Sequence, residues 1–161
     1  MTQWPVTVCV MTSLLAIISP SVRAQDPDGL KGMNAVYVTV ENIPEGGKVL
    51  GITAETIQTY VELILLQAGM TVTTLADGHK LPGRPHVYVR VNLMKGAEAA
   101  SIQVELKQDA VLDRNAEHAP SVVTWDIGYL HINPTARSIR DDVKESIDAF
   151  LNAWLSVNTK K

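Results

Sequence analysis

The sequence predicts an α+β domain. Its expected form is a two-layer sandwich: a mostly antiparallel five-stranded sheet with two helices on one face, in the order β-α-β-β-β-β-α. Three observations predict it. Several runs alternate apolar and polar residues with a period of two, as strands with one buried face do. Two stretches place apolar residues three and four apart, as helices lying on such a face do. The connections are short and rich in Gly, Pro, Asn and Asp. A half-buried sheet and two amphipathic helices cover each other most simply as two layers.

The chain of 161 residues opens with an apolar run, Val6 to Ile18. Thirteen residues at about 1.5 Å each fall short of the roughly 30 Å of a bilayer core. Pro20 breaks the run. Val22-Arg23-Ala24 then places acceptable residues at the two positions a signal peptidase reads. Residues 1–24 are therefore expected to be a signal peptide. The absence of Lys or Arg ahead of the run is off-pattern, and the alternative is an uncleaved anchor or a buried N-terminal strand. Cys9, the single cysteine, lies inside this leader with Val8 before it, so no lipidation signal is present. The mature chain is then free of cysteine. That excludes disulfides, thiolate metal sites and a cysteine nucleophile. A net charge of −3 for the whole chain becomes −4 when Arg23, the leader's one cation, is removed. A mildly acidic balance argues against nucleic-acid binding. The size fits one domain, and multidomain enzymes and coiled-coil rods are excluded.

After a turn-rich lead-in expected to be flexible (25–33), the domain proper is expected over 34–158, with a tail at 159–161. Val36, Val38 and Val40 alternate with Ala35, Tyr37, Thr39 and Glu41 in a first strand that Pro44 ends. Gly46 to Gly51 reads as a flexible connector. It is neither a P-loop nor a GxGxxG fingerprint. Thr53 is a good N-cap for a helix over 54–68, carried by Ile57, Val61, Ile64 and Leu65 and stopped by Gly69. Met70 to Leu75 is a short second strand, expected to be parallel to the first through a right-handed crossover. His86 to Leu93 and Ser101 to Leu112 alternate strictly around a small-residue turn and read as a hairpin. Ser121 to Ile132 is the last strand, with Val123, Trp125 and Ile127 on one face and Thr124 and Asp126 on the other. Asn133 as cap and Pro134 at the first helical position open a final helix. Ile139, Val143, Ile147, Phe150, Leu151 and Trp154 make its buried stripe.

Catalytic patterns do not emerge. The four histidines, His79, His86, His118 and His131, have no spacing that aims two imidazoles at one ion, and no cofactor or metal is expected. No GxSxG, SxxK or HExxH pattern is present. Asp141-Asp142, adjacent on a helix, diverge and read as a solvated first turn. The outer sheet face is the richer surface. Tyr37, Glu41, Tyr88, Arg90, Asn92, Gln103 and Glu105 would share it, together with Thr39, Lys107, Thr124 and Asp126. Such a face binds a protein or a sugar, or is simply a solvated sheet with cross-strand pairs. An unpaired edge strand is a second route to a partner. The alternative site gathers Asp126, His131 and Asn133 near the end of the last strand.

The runs VYVTVEN, ITAETIQTYVELILLQAGMTV and PHVYVRV resemble the strand–helix–strand start of small uncharacterised exported bacterial α+β proteins. The ending, TWDIGYLHI and SIRDDVKESIDAFLNAWLSVN, resembles the close of one group of them. The opening half is also similar in layout to envelope domains of the TolB N-terminal type. The resemblance covers most of the mature chain and carries no catalytic motif. It implies no activity of its own; the leader, the missing catalytic motifs and the polar sheet face are what point to a protein or envelope component as partner. The resulting expectation is a periplasmic or secreted, non-enzymatic binding or envelope-accessory module. The alternative is a small hydrolase or ligand-binding protein working near the end of the last strand.

Overall fold

The computed structural model describes residues 27–94 and 98–159. The predicted leader, the first two residues of the lead-in, part of the predicted small-residue turn after His86 to Leu93 and the last two residues of the predicted tail lie outside the described residues. Within them, the elements are a 3-10 turn at Pro27–Leu30, β1 (Ala35–Val40), α1 (Glu45–Val49), α2 (Ala54–Gln67), β2 (Thr71–Val72), α3 (Leu75–Gly78), β3 (His86–Leu93), β4 (Ala99–Leu112), β5 (Glu117–Ile132) and α4 (Ala136–Asn158).

The fold is α+β with a five-stranded sheet in the order β2-β1-β3-β4-β5. The sheet is mixed rather than mostly antiparallel. β1 is parallel to β2, as expected, but it is also parallel to β3, and only β3–β4 and β4–β5 are antiparallel. The cause lies in β1. Val36 and Val38 are buried on one face and Tyr37 on the other, so β1 belongs inside the sheet, where both faces are covered. The two-residue β2 is too short to flank β3 and takes the edge. The chain crosses over twice, once through α2 and once through α3, before the β3–β4–β5 meander begins. The element order differs from the expected one by the short helices α1 and α3, and β2 ends earlier because Thr74 caps α3.

Helix ends follow side-chain chemistry. Thr53 caps α2 with a reciprocal capping box to Thr56, and Gly69 takes the left-handed conformation at φ 85°. The cap of α4 is Thr135, boxed with Ser138, and not Asn133. Asn133 instead makes a left-handed turn at φ 51°, its N–H donating to Glu98 O at 2.8 Å. The 46–51 connector, expected to be flexible, opens with a helical turn, α1.

Both long helices contribute to one core. Ile57, Val61 and Leu65 of α2 join Ile139, Val143, Ile147 and Phe150 of α4 over the inward side chains of the sheet. Trp125 meets Phe150 edge to face at 5.4 Å, a favoured aromatic geometry. The lead-in is fastened rather than loose. Leu30 is buried, Trp154 Nε1 donates to Met33 O at 2.6 Å, and Asn158 both donates to Leu30 O and accepts from Gly32 N–H.

Candidate functional site

The outer face is built in cross-strand rows. Tyr37, His86 and Lys107 share one row, and Thr39, Tyr88, Glu105 and Asp126 the next. Arg90, Gln103 and Gly128 form a third, and Asn92, Ser101 and Leu130 a fourth. The charged members are largely engaged with one another. Tyr88 Oη and Arg90 Nε both donate to Glu41 Oε2, at 2.9 and 2.6 Å. These two donors hold the Glu41 carboxyl below its ordinary range. Arg90 Nη1 donates to Gln103 Oε1 at 3.3 Å. Lys107 Nζ stands 3.6 Å from the centre of the Tyr88 ring, a cation–π contact. The same ammonium is 3.0 Å from Glu105 Oε2. It offers charge there without the alignment of a hydrogen bond, so Glu105 Oε2 is buried with no donor among the described residues.

Two predicted members of the face are not open. Glu105 is only 7% exposed, and Tyr37 only 6%. Tyr37 lies beneath α3, stacked with His86 at 4.7 Å and with His79 at 5.6 Å. Gly78 allows this close approach: a Cβ there would stand 2.2 Å from Tyr37 Cδ1. Burial raises the Tyr37 phenol and lowers the His86 imidazole from their ordinary pKa values. The available part of the face is therefore shifted toward β3, β4 and β5.

Beyond Asp126, the β5 part of the face is apolar. The alternation that puts Asp126 outward continues through Gly128, Leu130 and Ile132, and Leu130 and Ile132 are 73% and 64% exposed. A bulge beside Thr124 removes Val123 from the Trp125 series, and Val123 is 42% exposed. The extra residue breaks the period of two expected of a regular strand.

The alternative site is not assembled. The register from Glu105–Asp126 to Ala100–His131 is unbroken, so Asp126 and His131, five apart, point to opposite faces. His131 Nδ1 faces α4 and lies 3.2 Å from Asp142 Oδ2. Asp142 is thus engaged rather than solvated. Asn133 lies beyond the strand in its own turn.

A groove of about 430 Å³ lies at the opposite end of the sheet, between the lead-in and the 81–85 loop. Met33, Ala35, Leu81, Pro82 and Pro85 line it, with Lys31 and Gln108 as polar neighbours. Gln108 Nε2 is already bonded to Gly29 O and Thr124 Oγ1. Among the described residues no group of three His, Cys, Asp or Glu side chains could hold a metal ion. No helix among them is long and apolar enough to cross a membrane.

No protein-family model matches the chain, and no curated protein matches it. Among solved structures, a variant of the PelC dodecamer from Paraburkholderia phytofirmans is similar at 14% identity and a TM-score of 0.44, covering 77% of this chain and 89% of that one. A second crystal form of the PelC dodecamer gives 14% identity, a TM-score of 0.41, and 80% and 90% coverage. Neither score reaches the level at which a fold is shared.

Proposed function

We propose that the chain is an exported, non-enzymatic binding module, periplasmic or secreted, that meets a protein partner through β5 and the adjoining outer face. The observation that carries this reading is the outer edge of β5, which no other strand of the described residues pairs with. β5 ends the sheet, and from Trp125 to Ile132 it holds no Lys, Arg, Pro or bulge. Lys, Pro and bulges are among the main devices by which proteins blunt an exposed edge, and Asp126 is the one charge on this stretch. Leu130 and Ile132 stand open beside it. The polar residues of β3 and β4 fit a supporting role, because their charges are engaged with one another. The leader pattern of residues 1–24 supports export.

The test is capture from an envelope fraction with the wild-type protein and with the Leu130→Lys, Ile132→Lys double variant. Both positions are solvent-exposed, so the variant is expected to fold normally. A partner retained by the wild type and lost by the variant is the expected result. Equal recovery on both overturns the reading.

A further inference from the structure

Resting on that reading, we propose that the partner of the β5 edge is a second copy of this chain, paired strand to strand and antiparallel about a two-fold axis. An edge strand of this length asks for an edge strand of comparable length. Among the described residues, the other edge of the sheet is β2, only two residues long. β5 is the strand that offers a match.

A strand laid antiparallel on its own copy is self-complementary in its main-chain groups, and the contact closes on itself without leading to a fibre. A two-fold axis normal to the sheet brings residues of the same face opposite each other. An axis at Ile127, Gly128 or Tyr129 sets Asp126 opposite Gly128, Leu130 or Ile132 of the partner strand. Asp126, Tyr129 and His131 are the titratable residues of the 125–132 segment, and Asp126 is its only carboxylate, so none of these registers opposes two like charges. The axis at Gly128 sets the outward Leu130 of the two copies in the rows on either side of the facing glycines, with Ile132 one row further out, and glycine has no side chain to obstruct them.

The other half of β5 explains why pairing stops. Register shifts at Leu106/Lys107 and Gln108/Ala110, with Pro120 and the left-handed Ser121, twist the hairpin tip out of regular pairing. The contact is confined to about eight residues a side, below the roughly 20–30 of a standard interface. A weak, concentration-dependent dimer is the consequence.

The experiment uses the full chain with Cys9→Ser, so that any introduced thiol is the only one. Light scattering along a concentration series should show the mass rising from monomer to dimer. Gly128→Cys, Leu130→Cys and Ile132→Cys, oxidised separately, should differ sharply in self-disulfide yield, because only residues near the axis bring their own copies within bonding distance. Leu130→Lys with Ile132→Lys should stay monomeric at every concentration with an unchanged melting temperature. A wild type that remains monomeric throughout, or a dimer whose cross-linking ignores position, overturns the proposal. Capture of a different protein through Leu130 and Ile132 by a strictly monomeric chain overturns it too, while leaving the binding function standing.

Discussion

The Arg84 guanidinium holds the Asp109 carboxylate with two hydrogen bonds, Nε to Oδ2 at 2.6 Å and Nη2 to Oδ1 at 3.0 Å. Asp109 Oδ1 also accepts from the Ser121 N–H at 3.0 Å, and the Asp109 N–H donates to Gly83 O at 2.7 Å. One residue thus ties the loop before β3 to both strands of the β4–β5 hairpin. Arg84 and Ser121 both have positive φ, 45° and 53°. Left-handed backbone at a residue with a Cβ persists where surrounding contacts over-determine it. This fork holds the bulged half of β5 in place and leaves the regular half, 125–132, as the outer edge of the sheet among the described residues.

Asp109→Asn tests the fork. The Arg84 guanidinium, aided by the Ser121 amide, holds the Asp109 carboxyl below its ordinary range. A depressed carboxylate contributes stability that is present above its unfolded pKa of about 3.9 and lost as the pH falls through the folded value. Thermal unfolding should show the variant less stable than wild type at pH 7, with the gap closing below about pH 4. An equal gap at both pH values contradicts the assignment.

Gly78→Ala should destabilise the protein by about 1–3 kcal/mol, the usual cost of overpacking. The new methyl would meet the backbone-proximal Tyr37 Cγ and Cβ as well as Cδ1, so no flexible side-chain end can give way. Gly46→Ala is the control. Its nearest neighbour would be Leu93 Cβ at 3.6 Å, ordinary contact, and it should be neutral or slightly stabilising. Urea unfolding of the two variants separates them. A neutral Gly78→Ala would show that α3 is not seated on Tyr37.

His86 sets an acid limit. Burial lowers its pKa, and Lys107 and His79 act in the same direction; the Arg84 carbonyl and Asp109 oppose them. A histidine depressed in the folded state favours folding while neutral. Its contribution is present above the unfolded value of about 6.5 and lost as the pH falls below it. His86→Phe keeps a ring on Tyr37 without the titration. Its stability should fall less steeply than wild type as the pH drops below about 6.5. Parallel slopes contradict this.

The leader is tested on the cell-derived protein. N-terminal sequencing of material from the periplasm or medium should begin at Gln25. A chain that starts at Met1 and stays with the membrane contradicts cleavage.

The sequence made most of the elements legible because their signals are local. Thr53 as the cap of α2, the α4 stripe from Ile139 to Leu151 and the alternation of β3 and β4 all read through directly. What it hid was non-local. The parallel β1–β3 pairing depends on Tyr37 being covered by α3, which turns on Gly78 lacking a Cβ. The bulge beside Thr124 shifts Val123 out of its expected face, and no periodicity announces it. The alternative site failed on parity that was available: five residues along an unbroken strand means opposite faces. The same parity, continued from Asp126, would have found Leu130 and Ile132. The Arg84–Asp109 fork spans 25 residues and carries no sequence signature.

Residue-resolved amide hydrogen exchange, on dilute and concentrated protein, tests the β5 edge most directly. If that edge is the contact surface and its partner a second copy, alternate amides between 125 and 132 should slow on concentration, while those of β2 keep their rates. Unchanged β5 rates, or protection that arises elsewhere, would contradict the account.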